Sequence, residues 1–140
     1  VLARKKTRTK MTRGIWLYGD TGVGKSHRAF SECPQDETYV YPEDGGWWDG
    51  YRGEKYVIFN EFRGNTLKFS ELLDLLDKYP KTVRRRGREP TPFLAETMYF
   101  CSSLHPCDAF VDVSTESLDQ LFRRLKIIEM TQKSLGNTGN

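Results

Sequence analysis

Gly19-Asp20-Thr21-Gly22-Val23-Gly24-Lys25-Ser26 constrains this chain more than any other stretch, because its three glycines and its Lys-Ser end suit few folds. Such a run lets the backbone curl so that successive N–H groups point inward at an anion. Lys25 then adds a point charge, and the Ser26 hydroxyl is placed to hold a magnesium ion. The apolar run Ile15-Trp16-Leu17-Tyr18 leads in as a strand, and Lys25 to Phe30 leads out without a helix breaker. The loop is therefore expected on a helix N-terminus, where the dipole favours anions. A glycine turn of no consequence would need neither flank. The pattern predicts a nucleoside triphosphate site that uses Mg2+, with Gly19, Asp20, Thr21, Gly22, Val23, Gly24, Lys25 and Ser26 around the phosphates.

At 140 residues and 37% apolar content the chain supports one core without disulfides or structural metals. Nothing in it resembles a signal peptide or a bilayer-spanning segment, which predicts a soluble intracellular protein with no membrane partner. A first residue of Val1 rather than Met suggests a piece of a longer polypeptide. Cys33, Cys101 and Cys107 are odd in number and lack C-x-x-C spacing, so reduced thiols are expected. His105 between Cys101 and Cys107 leaves a zinc site one ligand short.

Charge is unevenly spread. Residues 1 to 14 carry six positive charges and no acids, and residues 81 to 88 carry five more and no acids. Removing those eleven from the net +3 leaves the rest of the chain at −8. Two concentrated basic segments on an acidic body predict a local polyanion contact.

Strand and helix patterns alternate as in a parallel sheet with helices on its faces. Thr38 to Pro42 is β-prone, and Lys55 to Asn60 reads as a buried strand ending in Asn60-Glu61, at the edge where open α/β sheets place ligands. Phe69, Leu72, Leu73 and Leu76 predict an amphipathic helix over 68–79, ended by Pro80. Residues 81 to 94 predict a β-hairpin with Arg86-Gly87-Arg88 at its tip. Thr97 to Cys101 predicts another buried strand, running into Ser102-Ser103. Leu118, Leu121, Phe122 and Leu125 mark a last helix capped by Ser114 or Thr115, and Lys126 to Met130 a last strand.

The order of these features is specific. Phosphate loop, Trp47-Trp48-Asp49-Gly50-Tyr51-Arg52-Gly53-Glu54, the strand ending in Asn60-Glu61, the basic hairpin, Ser102-Ser103 and Leu121-Phe122-Arg123-Arg124-Leu125 follow one another over roughly residues 14 to 131. This order closely resembles the superfamily 3 helicase domain of replication initiator (Rep) proteins of small circular single-stranded DNA viruses: circoviruses, nanoviruses and smacoviruses. The resemblance implies an α/β P-loop NTPase related to the AAA+ fold, with a mostly parallel five-stranded sheet flanked by helices and a basic β-hairpin. It further implies a basic linker over residues 1–13, an ATPase unit over 14–131, a flexible tail over 132–140, and a location in the host nucleus.

The same resemblance implies roles residue by residue. Glu61 matches the acid that deprotonates the attacking water, a task that needs a carboxylate in hydrogen-bond reach. The position before it is usually Asp in the family and is Asn60 here, which brings no charge to magnesium. Ser26, Asn60 and Glu61 are the metal-site residues so implied. Ser103 stands where a γ-phosphate sensor, commonly Asn, is found. Arg123 and Arg124 match the arginine finger region. With Leu118, Leu121, Phe122 and Leu125 inward, Arg124 is expected to point away from the core and reach a neighbouring subunit. Arg84, Arg85, Arg86 and Arg88 match a single-stranded DNA contact lining the channel of a hexameric ring.

Trp47, Trp48 and Tyr51 are expected to pack structurally, although base stacking is a second use for such rings. The run from Arg4 to Arg13 reads as a linker, a nuclear address or a second DNA contact. His27 and His105 are the only histidines and lie far apart, so a His-hydrophobe-His nickase motif is absent. No N-K-x-D base-reading motif occurs, which argues against a GTPase. The implied activity is ATP-driven translocation on single-stranded DNA during rolling-circle replication. The rivals are a nucleotide-gated DNA-binding ring with little turnover and a small-molecule P-loop kinase.

Overall fold

In the computed structural model, which describes residues 6–43 and 47–131, five strands form one sheet in the order β2-β3-β6-β1-β7. They are β1 (Arg13–Tyr18), β2 (Thr38–Val40), β3 (Tyr56–Phe59), β6 (Thr97–Ser102) and β7 (Leu125–Glu129). All four pairings are parallel, with Trp16 opposite both Phe100 and Ile127, and Phe59 opposite Phe100. The parallel α/β sheet expected from alternating patterns is therefore present.

Apolar side chains on both faces explain why the strands read as continuous hydrophobic runs. On one face Trp16, Phe59, Phe62, Phe100 and Phe110 are buried with Leu72, Leu75, Leu76 and Leu121. Phe100 stacks between Phe59 and Trp16, with ring centroids at 5.1 and 5.5 Å. On the other face Ile15, Leu17, Ile58, Tyr99 and Cys101 cover Ala29 of α1 (Lys25–Glu32). Period two therefore serves two cores at once.

Helix α2 (Phe69–Leu75) places Leu72 and Leu75 in the larger core and stops earlier than the predicted 68–79. Its C-terminal carbonyls are closed from outside by Arg8, whose Nε donates to Tyr79 O at 2.8 Å. The same guanidinium donates to the carbonyls of Leu75 and Asp74 and, at 2.9 Å, to Thr12 Oγ1. It also lies 5.2 Å from the Phe93 ring centroid. A cation is drawn to the negative end of a helix, so Arg8 is buried although the sequence places it in a linker. Thr12, donating to Ala95 O at 2.7 Å, is buried with it. The packed unit thus begins before Gly14. Arg4, Lys5, Gly45-Gly46 and the tail over 132–140 lie outside the described residues.

The predicted hairpin is formed by β4 (Thr82–Val83) and β5 (Thr91–Pro92), paired antiparallel. A short helix α3 (Pro106–Ala109) follows β6, its N-cap His105 accepting from Cys107 N at 3.1 Å. Helix α4 (Thr115–Phe122) is capped by Ser114, which accepts from Ser117 N at 3.2 Å. Among the described residues no helix is long and apolar enough to cross a membrane.

Candidate nucleotide site and basic hairpin

The carboxyl ends of β1, β6 and β3 lie side by side and are sewn together by their own loops. Gly19 N donates to Ser102 O at 3.2 Å, Phe62 N to Cys101 O at 2.7 Å, and Ser102 Oγ to Phe62 O at 2.8 Å. The phosphate loop leaves β1 at Gly19, where a Cβ would come within 2.2 Å of the Met130 carbonyl oxygen. Only glycine fits there. Gly24 caps α1 at φ 87°, a left-handed conformation that starts the helix directly under the loop.

Lys25 Nζ donates to the carbonyl of Gly19 and, at 3.4 Å, to that of Asp20, which holds the ammonium over the curl of the loop. At the next residue, Ser26 Oγ donates to Asn60 Oδ1. Asn60 follows β3 directly, so the phosphate loop and the far strand end meet through these two side chains. Glu61, the next residue in the chain, is exposed, its Oε1 paired with Arg63 Nη2 at 3.0 Å. The donor set fits a magnesium ion shared with phosphates: a hydroxyl, an amide oxygen and one carboxylate, all oxygens. Among the described residues no cluster of three or more His, Cys, Asp or Glu could hold a metal alone.

Below the loop, Cys101 is buried on β6. Burial pushes its thiol up to about 11, against the opposing pull of the Lys25 charge and the Ser26 hydroxyl. Helix α1 is fixed to the sheet at its other end, where the Tyr99 hydroxyl donates to Glu32 Oε1 at 2.7 Å. That bond, the largest cause, holds the Glu32 carboxyl below its usual range.

Ser103 is exposed just beyond β6, on the same sheet edge as Glu61, whereas the hydroxyl of Ser102 is used to brace the loops. Arg124 is not the outward member of its pair. Its Nη1 donates to Gln120 O at 2.7 Å and its Nη2 lies 3.6 Å from Asp77 Oδ2. Helix α4 ends at Phe122, so the pair sits in a turn rather than on a continuing helix, and the Asp77 carboxylate draws Arg124 inward. Arg123 is the exposed one.

The basic hairpin stands beside this edge. Its four arginines differ. Arg85 Nη2 and Nε donate to Glu89 O at 2.8 and 3.1 Å, and Arg86 is joined to Asp49. Arg84 and Arg88 are exposed, with no hydrogen bond or ion pair from their side chains among the described residues. A groove of about 1200 Å³ runs between the hairpin base and Glu61, lined by Tyr41, Trp48, Arg63, Lys68 and Arg84. Trp48 and Tyr51 are core residues as expected, while Trp47 stays 39% exposed. No local pattern marks the contacts of Arg8, Asp49 or Arg63, since the first two act through partners distant in the chain and the third lies in a loop with no periodicity.

A family model described as RNA helicase matches residues 15–104. The chain is similar to the replication-associated protein of Porcine circovirus 1, 32% identical over 130 residues, covering 89% of this chain and 41% of that protein. The corresponding protein of Porcine circovirus 2 is 33% identical over 126 residues, with 86% and 40% covered. That of Goose circovirus is 39% identical over 117 residues, with 81% and 37% covered. The chain thus spans about two-fifths of the length of the curated relatives it matches. The family model runs from β1 to Leu104, just past β6, and so takes in the phosphate loop, the Asn60-Glu61 edge and the hairpin. On that match the chain belongs to the RNA helicase family, as the superfamily 3 helicase domain found in viral replication-associated proteins.

Proposed function

We propose that this chain is an ATP-dependent DNA helicase unit. It hydrolyses ATP between neighbouring copies in a ring, a hexamer by resemblance, and moves along single-stranded DNA during rolling-circle replication in the host nucleus. The observation that carries the reading is the meeting of Ser26 and Asn60, with Glu61 next in the chain, at the mouth of a glycine loop seated on α1. Backbone N–H groups of the loop and Lys25 bind and orient the phosphates, and Glu61 takes the proton of the attacking water. Bound magnesium would neutralise charge between the outer phosphates. Ser103, exposed just past β6, senses the last phosphate, and exposed Arg123 replaces Arg124 as the side chain a neighbouring subunit's site would receive. Arg84 and Arg88 contact the strand's phosphates.

Phosphate release with and without single-stranded DNA tests this. Glu61→Gln should retain nucleotide and lose about 10²- to 10⁴-fold in turnover, and Lys25→Ala should lose nucleotide binding. Normal ATP affinity in Lys25→Ala would remove the loop assignment. A second reading, a nucleotide-gated DNA-binding ring with little turnover, is favoured by the uncharged Asn60. It prevails if the unmodified protein with DNA is as silent as Glu61→Gln.

A further inference from the structure

The aromatic segment before β3 is tied to the hairpin at two levels. The Trp48 indole is buried against Phe59 and Phe93, at 6.0 and 5.5 Å between centroids, and its backbone N–H donates to Arg84 O at 2.8 Å. One residue on, the Asp49 carbonyl accepts from the Tyr39 hydroxyl at 2.7 Å, which fixes this backbone to β2. From that footing the Asp49 side chain reaches the hairpin tip. Its Oδ1 accepts from the backbone N–H of Arg86 at 2.8 Å and its Oδ2 from Arg86 Nε at 2.6 Å.

The hairpin needs such a footing. Its strands are two residues each, and an isolated pair that short does not hold its shape in water. The tip turns at Gly87, φ 66°, with Arg84 and Arg88 exposed on either side. The Asp49 carboxyl is held below its usual range first by the Arg86 backbone N–H and then by the guanidinium. A guanidinium neutralised in this way adds less to counterion release than its free neighbours do.

We infer that Asp49 is a positioning residue for single-stranded DNA binding, clasping Arg86 so that the hairpin presents Arg84 and Arg88 to successive phosphates. The inference rests on the hairpin reading proposed above. It makes a prediction opposite in sign to simple electrostatics, because deleting a negative charge beside a cationic tip would by itself tighten DNA binding. If Asp49 aims the tip, deleting it weakens binding, since the tip must then be ordered at the moment of contact.

Fluorescence anisotropy of a labelled oligothymidylate over a sodium chloride series, using the full chain, decides the matter. Asp49→Ala should weaken binding about three- to tenfold without flattening the salt slope, since Arg84 and Arg88 remain and the Arg86 charge is released. Asp49→Asn, which keeps an oxygen for the Arg86 N–H, should lose only part of this and serves if the alanine variant unfolds. In an Arg86→Ala background Asp49→Ala should have a smaller further effect, because only its bond to the backbone N–H of residue 86 is then left to lose. Tighter binding by either Asp49 variant, or additive effects of Asp49→Ala and Arg86→Ala, overturns the inference. The underlying reading fails separately: Arg84→Ala with Arg88→Ala should flatten the slope by about 0.7 for each arginine. An unchanged slope there takes the hairpin away from DNA, and the inference with it, whatever Asp49 does.

Discussion

The Ser26 hydroxyl donates to the side-chain oxygen of Asn60, joining two residues 34 apart in sequence across the strand ends of β1 and β3. Where a carboxylate would bring charge to a metal held by the serine, this pair brings only dipoles. Asn60→Asp should lower the Mg2+ concentration needed for half-maximal nucleotide binding by about fivefold to tenfold. A magnesium titration monitored with a fluorescent ADP analogue checks this. An unchanged midpoint would mean that the residue at position 60 is not part of the metal's surroundings.

Arg8 fills the C-terminal end of α2 with donors to Asp74, Leu75, Thr12 and Tyr79. Removing it leaves buried carbonyls without partners, so Arg8→Ala should cost about 2–4 kcal/mol of stability. Chemical denaturation would show this as a lower midpoint with the same slope. A variant as stable as the parent would return residues 6 to 13 to the role of a linker.

The two arginines after α4 should separate cleanly. Arg123→Ala, at an exposed position, should leave the melting temperature unchanged and lower ATP turnover by about 10³-fold if the guanidinium acts on a neighbour. Mixing that variant with Glu61→Gln should restore part of the rate, since each supplies the group the other lacks. Arg124→Ala should lower stability by about 1 kcal/mol through its partners Gln120 and Asp77. Turnover lost in Arg124→Ala at full stability would restore the sequence-based choice.

Cys33 and Cys101 are buried with thiols raised to about 11, chiefly by burial, while Cys107 is exposed. Alkylation of the folded protein near neutral pH should modify Cys107 fast and the other two slowly. The neutral thiols also set a sign for pH. In the unfolded chain they ionise near 9.0, so stability from keeping them protonated is complete below that pH and falls as pH rises towards about 11. Unfolding midpoints at pH 8 and 10 should differ in that direction, and Cys101→Ala should shrink the difference.

The phosphate loop, the order of strands and helices, and the paired basic segments could be read from the chain because each is local. Glycine at a fixed spacing, period-two and period-3.6 apolar runs and clustered charge need no knowledge of what lies across the fold. The resemblance to replication initiator helicase domains rested on that same linear order. Partnership was not legible. Four arginines in the hairpin look alike in sequence, yet packing gives Arg86 to Asp49 and Arg85 to Glu89 while leaving Arg84 and Arg88 exposed. Arg8 reads as one more linker charge until the open end of α2 is seen beside it, and Arg124 reads as outward until the helix is seen to stop at Phe122. Sequence determined which chemistry the chain carries, because backbone curl and hydrophobic period are properties of neighbouring residues. Tertiary structure alone decided which charges are spent inside the molecule, because an ion pair depends on distance in space and residues far apart in the chain come within 3 Å only after folding.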